Sequence, residues 1–258
     1  MAIITLTTDL GDKDIYQAAL KGSILKLLPT VNIVDITNSV SAFNIQQAAF
    51  ILKNSFHYFP DSTVHLIGID TVFSNSTRYL AIKYKNHYFV GADNGIFSLM
   101  FTTEPEEMVE INIMQDLKFL HFPLADIFVK AACHLAKGGK LSEIGLPISG
   151  IEKKMNLQPV VDKNQIKGSV IFIDSFQNVI TNITKEFFNN IQAGRRFTLH
   201  FKRNETINNL SWHYNEVPEG EKLCLFGISD HLEIAINKGN ASGLLGLNLG
   251  DSVIIDFE

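Results

Sequence analysis

Apolar residues in this chain change their spacing at intervals, and the changes predict alternating strands and helices over its first part. Ile3 to Thr8 is a β-type run with the look of a buried strand, and Leu20, Ile24, Leu27 and Leu28 then recur at helical spacing within a helix expected over Ile15 to Leu28. Pro29 ends that helix, because proline has no N–H to donate and its ring clashes with the preceding turn. Val31 to Ile36 reads as the next strand. The cycle repeats: Ile45 to Phe56 is helical through Ala48, Ala49 and Leu52, Pro60 closes it, and Thr63 to Ile69 is a buried strand ending at Asp70. Tyr79 to Lys83 and His87 to Val90 form a hairpin around Tyr84-Lys85-Asn86 and lead into Gly91-Ala92-Asp93-Asn94-Gly95, a turn rich in residues that tolerate positive φ. After Pro123, Asp126 to Lys137 is another helix. Short connections between alternating elements imply a mostly parallel sheet flanked by helices, an α/β domain over residues 1–150.

The pattern then changes. Residues 151–165, with Glu152-Lys153-Lys154 and Asp162-Lys163-Asn164-Gln165, read as a linker. Beyond it, Ser169 to Asp174, Arg196 to Phe201, Lys222 to Phe226 and Ser252 to Phe257 are short β-type runs between Gly, Asn and Asp turns, with little helix except near Lys185 to Asn190. Residues 166–258 therefore read as a second domain, a small β-barrel or sandwich. No internal repeat or low-complexity tract interrupts either part.

Composition narrows the partners. A chain of 258 residues, 46% hydrophobic and 19% charged, can bury one large core or two smaller ones. A formal charge of −5 without a run of Lys or Arg argues against a nucleic-acid footprint or a polybasic membrane contact, which leaves a small molecule as the expected partner. Cys133 and Cys224 make no metal-type spacing, no apolar run reaches the length of a membrane span, and the N-terminus lacks the pattern of a signal peptide, so a cytoplasmic location is expected.

The candidate chemistry begins at Asp9, Asp12 and Asp14, carboxylates that follow the first strand where open α/β sheets bind ligands. Asp12 can cap the following helix and Asp14 can complement its dipole. Asp9 is harder to explain this way, since a carboxylate ending an apolar strand is desolvated unless something pairs with it. Asp70 repeats the situation one strand later.

Several segments together resemble one known family. They are Thr7-Thr8-Asp9-Leu10-Gly11 with Asp14, Lys21-Gly22, Ile33-Val34-Asp35-Ile36-Thr37, Phe59-Pro60, Val64-His65-Leu66 ending at Asp70, Phe89-Val90-Gly91-Ala92-Asp93-Asn94-Gly95, Ile173-Asp174-Ser175-Phe176-Gln177-Asn178 with Thr181-Asn182-Ile183, and Leu232-Glu233-Ile234-Ala235. In this order the chain is similar to the S-adenosyl-L-methionine hydroxide adenosyltransferases, adenosine-forming hydrolases related to the fluorinating and chlorinating enzymes, as a diverged member. The resemblance implies a Rossmann-like three-layer α/β/α N-terminal domain, a C-terminal β-barrel, and a homotrimer with the ligand between neighbouring subunits. It implies attack of water or hydroxide on ribose C5′ of S-adenosylmethionine, with no cofactor beyond that substrate and no metal.

The resemblance also distributes roles. Asp9 would accept the ribose hydroxyls with Asp14 helping, Phe43 would pack on adenine or the sugar, and Asp70 would be the retained member of an Asp, Arg and His trio near C5′. Asp174 would receive the methionine ammonium, Phe176 would pack on adenine, Asn178 would read an adenine edge, and Ser229 would approach the methionine carboxylate. Ordinary core packing for Phe43 and strand-end turns for Asp174 and Asn178 stand as alternatives, and Gly227-Ile228-Ser229-Asp230 departs from the family's Asn-Ser-Ser-Gly pattern.

The trio itself is altered. The family's Asp-Pro-Gly-Val-Gly run is Asp70-Thr71-Val72-Phe73-Ser74 here, Thr77 falls at the arginine with Arg78 one place on, and Pro123 falls at the histidine with His121 two residues upstream. Adjacent strand residues face opposite sides, so Arg78 substitutes only if a bulge shifts the register. Loss of one acid–base group costs on the order of 10² or more in rate. A slow hydrolase, a protein that binds S-adenosylmethionine or adenosine without turnover, a halide-using relative and a metal-dependent phosphatase on Asp9, Asp12 and Asp14 all stay open.

Overall fold

Strand β1 (Ile3–Thr8) carries Ile4 and Leu6 toward one face of its sheet and Thr5 and Thr7 toward the other, all fully buried, so helices must cover both sides. The computed structural model describes residues 2–72, 77–202 and 205–258. They form two units, Met1–Asn156 and Leu157–Glu258. In the first unit β1 is followed by α1 (Tyr16–Leu27), β2 (Asn32–Thr37), α2 (Ile45–Lys53), β3 (Val64–Gly68), β4 (Tyr79–Tyr84), β5 (His87–Ala92), α3 (Ile96–Met100), β6 (Glu107–Ile111), α4 (Ile127–Ala136) and β7 (Gly145–Pro147).

The seven strands lie in the order β2-β1-β3-β5-β4-β6-β7. Pairings among β2, β1, β3 and β5 are parallel, whereas β4, β6 and β7 run antiparallel to their neighbours. The expected mostly parallel sheet is thus mixed, because the β4–β5 hairpin reverses direction over Lys85 and Asn86, both at positive φ (49° and 63°), and β6 and β7 continue that reversal. One face packs Leu20, Ile24 and Phe128 against Ile4, Leu6, Leu66 and Val90. The other packs Ala48, Leu52 and Phe97 against Ile67, Leu80 and Phe89. Each such fully buried aliphatic or aromatic side chain contributes about 1.5–3 kcal/mol over exposure.

Local chemistry sets the ends. The helix expected over Ile45 to Phe56 starts where Asn44 accepts the Gln47 N–H at 3.0 Å and stops at Lys53, with Phe56–Tyr58 a separate 3₁₀ turn. The strand expected over Val31 to Ile36 is β2, an edge strand with exposed positions. Strands β6 and β7 and the short α3 have no counterpart in the expected elements.

The second unit contains β8 (Val160–Asp162), β9 (Gln165–Ile173), β10 (Val179–Thr184), α5 (Lys185–Gln192), β11 (Phe197–Phe201), β12 (Glu205–Ile207), β13 (Lys222–Phe226), β14 (His231–Ile236), α6 (Ala241–Leu245) and β15 (Ser252–Phe257). The path β12-β11-β15-β9-β10-β14-β13 is antiparallel, with β8 added on β9. The sheet curls around one core, in which Phe188 of α5 meets Phe197, Phe226 and Phe257 at centroid distances of 5.3, 5.5 and 5.7 Å. Thr184 caps α5 by accepting the Phe187 N–H at 3.2 Å.

The stretch 151–165 is tied down at both ends. Glu152 N–H donates to Asp93 Oδ1 at 2.8 Å and Lys154 N–H to Ser98 Oγ at 2.8 Å, while Val160–Asp162 pairs with β9.

Candidate functional site

The chain leaves β1 toward β2 on one side and returns through α2 to β3 on the other, so the strand order reverses at β1. In an open sheet the ligand crevice lies outside the carboxyl ends of the strands at such a switch point. Asp9 follows β1 and Asp70 lies two residues beyond β3. Asp9 Oδ2 accepts the Phe43 N–H at 2.8 Å. Burial raises the Asp9 carboxyl above its ordinary range, the N–H groups of Phe43 and of Asp9 itself oppose that, and the charge of nearby Asp70 adds to the rise.

Backbone strain marks the same rim. Phe43 (φ 63°) and Asp70 (φ 46°) both occupy the left-handed region, which disfavours residues with a Cβ. Phe43 is 66% exposed, so it is not core packing; its ring stands at the surface while its N–H is held by Asp9. Asn94 Nδ2 donates to Ile69 O at 2.9 Å and approaches Asp70 O at 3.4 Å.

Asp12 does not cap the helix as expected. Helix α1 begins at Tyr16 with Ile15 in the capping position and no side-chain cap; Asp14 Oδ1, not Asp12, takes an exposed N–H, that of Tyr16, at 3.0 Å. Among the described residues no group of three His, Cys, Asp or Glu side chains is placed to hold a metal ion.

Arg78 is committed elsewhere. Its guanidinium forms an ion pair with Asp93, whose side chain is 3% exposed, and reaches Gly150 O at 3.4 Å. The β4–β5 register runs unbroken from Tyr79 to Tyr84, so the bulge that would re-aim Arg78 is absent from this pairing. A direct catalytic use of Arg78 would have to break the pair with Asp93. Of the altered run after Asp70, Phe73 and Ser74 lie outside the described residues, and Thr77 Oγ1 donates to Val72 O at 3.2 Å. Pro123 is buried at the start of a 3₁₀ turn, and His121 is exposed. His134 sits 2.9 Å from Glu143, and His65 is buried between Thr5 Oγ1 at 2.7 Å and His87 at 3.1 Å; both are structural.

The second unit has its own carboxylate centre. Asp174 Oδ1 accepts the N–H groups of Phe176 and Asn178 at 2.9 and 2.8 Å, and Oδ2 accepts from Asn178 Nδ2 at 3.1 Å. This turn presents the Phe176 ring, 80% exposed, and is completed by Gln177 at φ 68°. Glu233, in the apolar strand β14 and only 6% exposed, accepts the Tyr214 hydroxyl at 2.6 Å. Burial pushes the Glu233 carboxyl up, the Tyr214 bond opposes this, and the charge of Asp174 adds to it. Ser229 lies half-buried in the Gly227–Asp230 turn, where its carbonyl faces His231 Nδ1 at 2.7 Å.

Known proteins share this arrangement of the chain. The pattern of the SAM hydroxide adenosyltransferase N-terminal domain matches residues 4–145, and that of the C-terminal domain matches residues 168–254. The chain belongs to the SAM hydroxide adenosyltransferase family. It is 29% identical to an (R)-S-adenosyl-L-methionine hydrolase of Methanocaldococcus jannaschii, over 99% of this chain and 96% of that one. A fluorinase of Actinoplanes is 23% identical over 72% of this chain and 70% of its own. Among solved structures, a conserved protein of Thermotoga maritima superposes with a TM-score of 0.89 at 30% identity, covering 98% of this chain and 99% of its own.

For this SAM hydroxide adenosyltransferase, the structure brings together Asp9, Phe43 and Asp70 in one unit, and Asp174, Phe176 and Asn178 in the other. It leaves the Asp14 carboxylate on a local N–H and holds Ser229 through its carbonyl, which faces His231 Nδ1. Sequence reasoning gave no role to Glu233 or Tyr214; a lone carboxylate inside the apolar run Leu232 to Ile236 was the available signal.

Proposed function

We propose that the protein cleaves S-adenosyl-L-methionine with water or hydroxide at ribose C5′, releasing adenosine and L-methionine. The observation that carries this reading is the placement of Asp9 and Asp70 just beyond the carboxyl ends of the adjacent parallel strands β1 and β3 at the switch point of the sheet, with the Phe43 N–H held by Asp9 and the Phe43 ring exposed. Asp9 accepts the ribose diol, with Asp14 assisting, and Phe43 packs on adenine or the sugar. Asp174 takes the methionine ammonium, Phe176 and Asn178 take adenine, and Ser229 takes the methionine carboxylate. Asp70 orients the attacking water and accepts its proton as the new C5′–O bond forms. The C5′–S electron pair leaves with sulfur, which becomes the neutral thioether of methionine. A sulfonium is already an activated leaving group, so positioning and a nucleophile suffice, with no cofactor or metal.

This reading is coupled to a Rossmann-like three-layer first domain over residues 1–150, a β-barrel second domain over residues 166–258, and a cytoplasmic homotrimer with the ligand between neighbouring subunits. The name of the M. jannaschii relative supports the same reaction. Incubation with S-adenosylmethionine and chromatography of the products tests it: adenosine and methionine accumulate in equal amounts, and accumulation no faster than in Asp70→Ala rules the reaction out.

A second reading, a protein that binds S-adenosylmethionine or adenosine without turnover, is favoured by the engagement of Arg78 with Asp93 and by Pro123 in place of a histidine. Calorimetric binding of S-adenosylmethionine without product would select it.

A further inference from the structure

We infer that Asn94, seated by the Arg78–Asp93 pair, is a positioning residue that holds Asp70 in its left-handed conformation. This rests on the proposed reaction, in which Asp70 orients the nucleophile. The Ile69 carbonyl belongs to the peptide that precedes Asp70, so fixing its plane constrains φ of Asp70; the Asp70 carbonyl belongs to the next peptide and constrains ψ. A single amide, Asn94 Nδ2, donates to the first at 2.9 Å and approaches the second at 3.4 Å. Asp70 stands at φ 46°, a region that Asp tolerates better than most residues with a Cβ but still populates sparsely, and the two Asn94 contacts hold it there.

Asn94 is itself fixed. Its Oδ1 accepts the Ile96 N–H at 3.2 Å at the start of α3, and Asp93 N–H donates to Arg78 O at 2.9 Å. The Asp93 carboxylate takes the Arg78 guanidinium on one oxygen and the Glu152 N–H, at 2.8 Å, on the other. Gly95 sits at φ 96°, and a Cβ there would lie 2.6 Å from Lys154 Cγ, so the Lys154 side chain packs directly on the turn. Arg78, one place on from the position of the family arginine, therefore acts through Asp93 and Asn94 on the backbone of Asp70.

Asn94→Ala and Asn94→Asp separate this role from simple helix capping. Aspartate keeps the acceptor for Ile96 N–H and loses the donor to Ile69 and Asp70. Both variants are expected to lower kcat for adenosine formation about tenfold to a hundredfold, as small misplacements at a reacting centre do, with KM for S-adenosylmethionine changed by less than about twofold. Arg78→Met is expected to lower kcat in the same direction by less. A crystal structure of Asn94→Asp should show Asp70 out of the left-handed region. Wild-type kcat in Asn94→Asp, a rise in KM alone, or Asp70 remaining near φ 46° in that crystal would each overturn the inference. A wild-type protein that forms no adenosine defeats the proposed reaction instead, and the Asp70 conformation then decides the inference without turnover.

Discussion

The two carboxylate centres solve one electrostatic problem in different ways. At Asp9 and Asp70 the backbone carrying the acids is what is held: Asp9 accepts the Phe43 N–H, the Asn94 side-chain amide reaches the carbonyls of Ile69 and Asp70, and Phe43 and Asp70 stand at positive φ. At Asp174 and Glu233 the carboxylates themselves are held, Asp174 by two main-chain N–H groups and Asn178 Nδ2 within a tight turn, and Glu233 by the Tyr214 hydroxyl. Neither Asp174 nor Glu233 has a cationic side chain within ion-pair distance among the described residues, and the same holds for Asp9 and Asp70. Uncompensated neighbouring carboxylates favour a positively charged visitor. Main-chain strain suits an atom that must be aimed, whereas a buried acid with a phenol donor suits a charge that must be kept in place.

Substitutions can break that contrast, beginning with the first centre. Asp70→Ala should lower kcat for adenosine formation on the order of 10² or more, read by chromatography, because it removes the acid proposed to receive the water proton. Asp9→Asn should instead act on affinity: losing a charged hydrogen-bond partner weakens ligand binding by about 1.5–3 kcal/mol, seen as a raised KM for S-adenosylmethionine and a raised Kd for adenosine. Equal loss of kcat and KM effects in the two variants would mean that the acids do not divide the work.

The second centre should respond in stability. Tyr214→Phe leaves the Glu233 carboxylate, 6% exposed, without its donor, and should lower unfolding free energy by about 1–3 kcal/mol in urea titrations. The pH dependence has a definite sign. Because burial raises Glu233 in the folded state, the folded protein binds the proton more tightly than the unfolded chain; the contribution is full below the ordinary value of 4.5 and is lost as pH rises through the raised folded value. Glu233→Gln should therefore flatten the decline of stability above pH 4.5. His65 works in the opposite sense: burial lowers it from 6.5 to about 3, so its contribution is full above 6.5 and is lost as pH falls toward 3. His65→Gln should reduce the acid-side slope between those limits, as followed by circular dichroism. A Glu233→Gln protein with an unchanged profile above pH 4.5 would remove the claim that its carboxyl is strained.

Much of the fold was legible in local pattern. Lys222 to Phe226 and Ser252 to Phe257 are strands with the expected bounds, and the Lys85–Asn86 hairpin follows from turn chemistry that tolerates positive φ. The antiparallel β6 and β7 were not, since Glu107 to Ile111 alternates weakly and gains its identity from pairing with β4. Likewise β14 was legible only as a motif, because its carboxylate at Glu233 interrupts an apolar run and is accommodated by Tyr214, 19 residues away.

Residue order alone fixed the acids at Asp9, Asp70 and Asp174 beside strand ends, because apolar spacing and a terminating carboxylate are properties of adjacent residues. Three-dimensional packing settled what each acid meets. Arg78 found Asp93 rather than a reacting atom, Phe43 and Asp70 were bent into positive φ, and Glu233 acquired a phenol and a neighbouring charge. Such partnerships join residues far apart along the chain, and their energies depend on distances and burial that no run of neighbouring letters encodes.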